Sequence, residues 1–245
     1  MDNLEKANLP MLSAISESNR FVSEPKEIAL THSLRRVVLL ASVAGYVEVI
    51  GFLDVGGIYP AIMTGNTVQL GLTAAKAQWA HCGLIGFAVL MFFIGGIIAS
   101  LIKRHLRQPA IELLIMATLL CVASLVRMSA PSRIPFELPL LAFALAMQGE
   151  TIARFGGVSL QTIVVTNNML KFSEALVQRY FVFGKRRTTP ENRVPLADVL
   201  LPGSAWLSYS VAAGLGALAN MYLGFPLLIP AFLLALIFWD LRGDA

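Results

Sequence analysis

Val37-Val38-Leu39-Leu40-Ala41-Ser42-Val43-Ala44-Gly45-Tyr46-Val47-Glu48-Val49-Ile50-Gly51-Phe52-Leu53-Asp54-Val55-Gly56-Gly57 is the stretch that decides the fold. A helix needs about 20 predominantly apolar residues to cross the hydrocarbon of a bilayer. These residues meet that length with a single charged group, Glu48, before Asp54. Lys26, Arg35 and Arg36 precede the stretch, and a flanking excess of Lys and Arg marks the cytoplasmic side. Working outward, the same criterion selects residues 82–102, 110–127, 136–154, 196–223 and 225–241. The expectation is an all-α membrane protein of about six transmembrane helices.

Composition agrees with that class. The 245 residues are 56% hydrophobic and 14% charged, with a mean hydropathy of +0.70, whereas a soluble domain is roughly a quarter charged. The net charge of +4 would suggest nucleic acid in a soluble protein. Here the basic residues sit at the ends of apolar segments, so their expected partner is the lipid bilayer, and nucleic acid is excluded. Lys103, Arg104 and Arg107 follow the second segment, and Lys185, Arg186, Arg187 and Arg193 lie between the fourth and fifth. The alternation puts both termini in the cytoplasm. Residues 1–35 read as a flexible cytoplasmic tail with no signal-peptide core, and 36–242 as one transmembrane domain. Cys82 and Cys121 fall inside apolar runs and form no metal or disulfide pattern.

An internal repeat divides the membrane portion into halves, 36–128 and 136–242. Gly56-Gly57 and Gly156-Gly157 align with an offset of 100 residues. The polar-interrupted segments that follow, around Thr64-Gly65-Asn66-Thr67 and Thr166-Asn167-Asn168-Met169, align with an offset of 102. With three crossings per half, the halves would be oppositely oriented: two inverted 3+3 repeats, each with an interrupted or re-entrant segment, as in many secondary transporters. If both segments spanned fully, there would be eight crossings, and Lys103, Arg104 and Arg107 would lie outside, against the charge bias. Six crossings are preferred.

The run from Ala44 to Leu53, Gly56-Gly57 and Met63-Thr64-Gly65-Asn66-Thr67 together resemble the signature of the bacterial YoaK-type membrane proteins. Ala146-Met147-Gln148 and Arg154-Phe155-Gly156-Gly157-Val158-Ser159 extend the resemblance through the second half. It implies a six-helix inner-membrane protein and supplies no substrate. The family pattern has Asp where Glu48 stands, which keeps the carboxylate. A Met-Gln-Asn-Ala pattern is replaced by Met147-Gln148-Gly149-Glu150, and a Thr-Gly-Thr turn by Thr166-Asn167-Asn168.

Several residues then become candidates for chemistry. Glu48 lies about 18 Å along a helix from Arg36, near mid-membrane. A carboxylate there is costly and is a functional hypothesis by default, with helix tying as the alternative. Thr64, Gly65, Asn66, Thr67 and Gln69 form a polar break, and irregular backbone at depth must be buried in protein or line a cavity. They either contact a ligand or cap a re-entrant helix. Gln148, the repeat partner of Glu48, and Thr166, Asn167 and Asn168 complete the candidate binding set. Glu150 and Arg154, four apart, suit a structural ion pair. Asp54 reads as a solvated interfacial group.

No catalytic constellation, metal ligand set or cofactor motif is present. His32, His81 and His105 all fall near span ends, and there is no GxSxG, HExxH or phosphate loop. The expected function is a non-enzymatic one: a secondary transporter or facilitator of a small polar solute, proton-coupled through Glu48. A membrane scaffold or accessory subunit, in an oligomer or alone, is the alternative.

Overall fold

Eight α-helices hold most of the residues that the computed structural model describes, which are 5–105, 109–129, 134–151, 154–155, 158–159, 161–181 and 194–243, with side chains except at 5–29, 109–110, 129, 150–159 and 243. The helices are α1 (Glu5–Asp54), α2 (Met63–Ala75), α3 (Trp79–His105), α4 (Pro109–Ser129), α5 (Ile134–Thr151), α6 (Val165–Leu176), α7 (Leu196–Tyr222) and α8 (Leu228–Gly243). A π-helical turn, Val177–Phe181, extends α6. Two short strands, β1 (Arg154–Phe155) and β2 (Val158–Ser159), pair antiparallel.

Among the described residues, four helices are long and apolar enough to cross a membrane: Leu30–Asp54 within α1, all of α3, Ile111–Met128 within α4, and α7. The two remaining expected crossings are apolar but shorter. They are Ile134–Gly149 within α5 and the 16-residue α8. Two departures from the sequence expectation matter. Helix α1 starts at Glu5, so most of the stretch read as a flexible tail has a helical backbone continuous with the first span. Helix α5 stops at Thr151, short of the expected 154, because Arg154 belongs to β1. Gly156 and Gly157 lie outside the described residues.

Polar pairs tie the two ends of the bundle. At one end, Arg35 and Arg36 of α1 both engage Asp240 of α8, Arg36 Nε at 3.2 Å from Oδ2. At the other, Arg127 at the end of α4 pairs with Asp54 at the end of α1, Nε to Oδ2 at 2.8 Å, and donates to the Asn220 side-chain oxygen on α7. Asp54 is therefore not solvated as expected: its side chain is 4% exposed and Arg127's 12%. The reason is tertiary, because the ends of α1, α4 and α7 converge there. Trp79 and Tyr222, at the start of α3 and the end of α7, and Trp239, near the end of α8, are exposed, as suits side chains at a membrane interface.

Between membrane helices, close packing replaces the hydrophobic effect, and small residues permit it. Helix α1 packs most extensively on α7, and α3 on α5. A methyl group on Gly45 would overlap the Tyr209 carbonyl, and one on Gly216 would sit 2.8 Å from the Tyr46 carbonyl oxygen. On the other seam, a methyl on Gly95 would meet the Ala146 Cβ at 3.1 Å. Gly96 and Gly214, by contrast, face open space, with nothing within 4 Å of an added methyl.

The short helices form hairpins with the long ones. Met63, at the start of α2, shares a groove with Phe92 and Gly96 near the middle of α3, whereas Leu70 approaches Gly86. Helix α2 therefore runs antiparallel to α3 and covers only one half of it. Helix α6 does the same on α7. Thr166 shares a cavity with Tyr209 at mid-helix, and Phe172 lies against Gly203 and Trp206 closer to the α7 start.

Candidate functional site

Glycines at 56 and 57 have positive φ, 74° and 85°, a conformation glycine adopts at little cost. They end α1: the Gly57 amide donates to the Phe52 carbonyl at 2.8 Å. The chain then doubles back beside α1, so that α2 begins level with Glu48, about 9 Å inward of Asp54 by helix rise. This non-helical backbone sits where water is scarce, so its amides and carbonyls need protein partners.

The polar candidates supply them. Both Ala61 and Ile62 amides donate to Glu48 Oε1, at 3.1 and 3.0 Å, and the Ala61 amide also reaches Oε2 at 3.1 Å. Asn66 closes on Tyr59 twice, accepting its amide at 3.0 Å and donating to its carbonyl at 2.6 Å. Gln69 donates to the Gly57 carbonyl at 3.2 Å, and the Thr67 hydroxyl to the Met63 carbonyl at 2.8 Å. Gly65 leaves room for the Tyr59 ring, which a methyl there would meet at 3.0 Å. Glu48 is 4% exposed and Asn66 fully buried.

The second break is held by the corresponding residues. Asn168 donates to the Gln161 carbonyl at 2.9 Å, with the same seven-residue spacing as Asn66 and Tyr59. Gln148 donates to the Thr162 hydroxyl at 3.1 Å and to the Leu40 carbonyl at 2.6 Å. Leu40 precedes Glu48 by eight residues, so the two repeat partners sit about 12 Å apart in depth. Residues 61–70 and 163–172 match position by position in being buried, half-buried or exposed. Both α2 and α6 begin without a side-chain cap, on Ile62 and Val164.

Between these two helix starts lies a cavity of about 550 Å³, within the range of small-molecule sites. Thr64 and Thr166 face each other's segment across it, joined by Gln161 and by Tyr209 of α7, with Phe92 and Gly96 of α3 among its apolar walls. Uncapped first-turn amides carry the positive end of each helix dipole toward this space. The arrangement can hold a small solute with hydrogen-bonding groups.

Of the expected binding residues, Thr64 and Thr166 line the cavity. Glu48 and Asn168 stand behind it and bond to the lining residues Ala61, Ile62 and Gln161, whereas Asn66, Gln69 and Gln148 bond to Tyr59, Gly57 and Leu40, which do not line it. Thr67 bonds within its own helix, and Gly65 and Asn167 are half-buried. The Glu150–Arg154 pair lies outside the described side chains. Two lining residues with polar side chains, Gln161 and Tyr209, were not among the expected candidates. Gln161 is the repeat equivalent of Tyr59 and the 102-residue offset could have found it, while Tyr209 has no local signal. Among the described residues, no group of three or more His, Cys, Asp and Glu side chains converges to hold a metal.

A family model described as "Protein of unknown function (DUF1275)" matches residues 37–239. The chain is similar to the UPF0700 transmembrane protein YoaK of Bacillus subtilis (strain 168), with 28% identity over 192 residues, covering 74% of this chain and 81% of that protein. No solved structure matches it.

Proposed function

The chain belongs to the DUF1275 family of unknown function and is a transmembrane protein, and on the geometry of its cavity we propose that it is a secondary transporter or facilitator of a small polar solute. The observation that carries this reading is the cavity at mid-height, bounded by the first turns of both interrupted helices and lined by Thr64, Gln161, Thr166 and Tyr209. Sites of this kind, between discontinuous helices at a repeat interface, are the recurring design of secondary transporters.

The finer architecture belongs to the same proposal: six crossings in two inverted 3+3 repeats, with both termini cytoplasmic in a bacterial inner membrane. The α2–α3 hairpin approaches the middle from the Asp54 end and the α6–α7 hairpin from the Asp240 end, which supports opposite orientation of the halves. The pairing of Arg35 and Arg36 with Asp240 supports a shared side for the two ends of the domain.

Proton coupling through Glu48 acts from behind the wall. Ala61 and Ile62 line the cavity, and their amides are held by the Glu48 carboxylate. A proton on that carboxylate occupies an acceptor site, so it loosens this hold and lets the wall at Ala61 and Ile62 shift.

Two measurements test the reading. In a background lacking Cys82 and Cys121, Thr64→Cys and Thr166→Cys react with small water-soluble thiol reagents, and a solute that transport requires slows that reaction. Purified protein is then screened by thermal shift against polar metabolites, and hits are followed as flux into proteoliposomes. Two inert cysteines and no flux for any stabilising solute defeat the proposal. The second reading, a non-transporting scaffold or accessory subunit, is favoured by one observation: most of the polar candidates bond to main chain. It requires that dry, unreactive outcome.

A further inference from the structure

A second concavity, a groove of about 660 Å³, runs along α3 and opens on the outside of the bundle. Its lining follows one helix face through Phe93, Gly96, Ile97, Ser100 and Leu101 to Arg104, the spacing of three and four that stacks side chains along a helix. Phe93, Ile97 and Leu101 are 65%, 46% and 50% exposed on a helix long and apolar enough to cross a membrane, which suits a face turned to lipid. Gly96 gives the groove its depth, because a methyl group there would touch nothing within 4 Å.

Length and charge decide what fits. From Val89, its first lining residue on α3, to Arg104, the groove follows the helix for about 22 Å, more than the roughly 15 Å of hydrocarbon in one leaflet. One end is basic: the last turn of α3 holds Lys103, Arg104 and His105. Arg104 lines the mouth, and no carboxylate pairs with it among the described residues. Basic pockets beside transmembrane helices bind anionic head groups.

We infer that this groove is a binding site for one anionic phospholipid, with an acyl chain along Phe93, Ile97 and Leu101 and the phosphate on Arg104. The groove shares Met63, Phe92 and Gly96 with the central cavity, so the seated chain forms part of the cavity's lateral wall. The inference stands independently of transport, because binding alone tests it.

Native mass spectrometry of the intact chain, released from detergent with phosphatidylglycerol or phosphatidylcholine of identical acyl chains, gives the readout. Phosphatidylglycerol is expected to bind roughly fivefold more tightly, and Arg104→Gln to abolish that preference. Gly96→Phe fills the groove and reduces binding of both lipids. Should that variant misfold, Arg104→Gln at its exposed helix end still decides the matter. Equal binding of the two lipids to the wild type, or a preference that survives Arg104→Gln, overturns the site. So does a dimer that disappears with Gly96→Phe, which would put a second copy of the chain in the groove.

Discussion

Asn66 closes on the main chain of Tyr59 from both sides, accepting its amide at 3.0 Å and donating to its carbonyl at 2.6 Å. Asn168 repeats the second of these contacts on Gln161, with its carboxamide nitrogen at 2.9 Å from the carbonyl, while its oxygen has no partner among the described residues. Both side chains are completely buried. A side chain that satisfies both main-chain polar groups of one residue turns an interrupted stretch into a defined structure, and the two breaks use it to different extents.

Removing that clamp therefore has unequal consequences. Asn66→Ala leaves a buried amide and a buried carbonyl unmet, a loss of about 3 kcal/mol, whereas Asn168→Ala forfeits one contact and costs roughly half as much. Thermal unfolding of the purified protein in detergent measures both, and equal losses would contradict the asymmetry.

Glu48 separates charge from geometry. In Glu48→Gln the remaining carbonyl oxygen can still accept from Ala61 and Ile62, because both amides already converge on Oε1. That variant should unfold within about 1 kcal/mol of the wild type, while Glu48→Ala loses about 3 kcal/mol by stranding the amides. If Glu48→Ala melts like the wild type, the carboxylate is not what holds the break. If the chain transports, Glu48→Gln should also remove the dependence of flux on a proton gradient.

The seam between α1 and α7 sets a third expectation. Gly45→Ala forces a methyl into the Tyr209 carbonyl and should cost about 1–3 kcal/mol, the range for overpacking. Gly214→Ala, facing open space, should be neutral or slightly stabilising, since alanine favours a helix by about 0.5–1 kcal/mol over glycine. Melting temperatures that fall alike in both variants would show that the seam is looser than described.

Asp54 and Arg127 form the fourth test. Both side chains are largely buried, so Asp54→Asn or Arg127→Gln alone leaves one charge uncompensated, at about 3 kcal/mol or more. The double variant should recover part of that loss. A double-mutant cycle with no coupling would mean that the pair contributes nothing to closing this end of the bundle.

The apolar segments were legible in the sequence because hydropathy sums local transfer energies, and each of the six expected crossings coincides with a helix to within a few residues, apart from the long N-terminal extension of α1. The Gly56-Gly57 stop was legible for a related reason, since chain breaks are written in consecutive residues, and Asn66 and Asn168, 102 residues apart, make matching contacts. The use of each polar group was not legible. Whether Glu48 faces a solute or the Ala61 and Ile62 amides depends on the chain folding back thirteen residues later, and Tyr209 reaches the cavity only because Gly45 lets α7 approach α1. Asp54 looked solvated until the ends of α4 and α7 brought Arg127 and Asn220 to it. Tertiary structure decided these matters because a hydrogen bond depends on the position of its partner, which no local stretch of sequence contains.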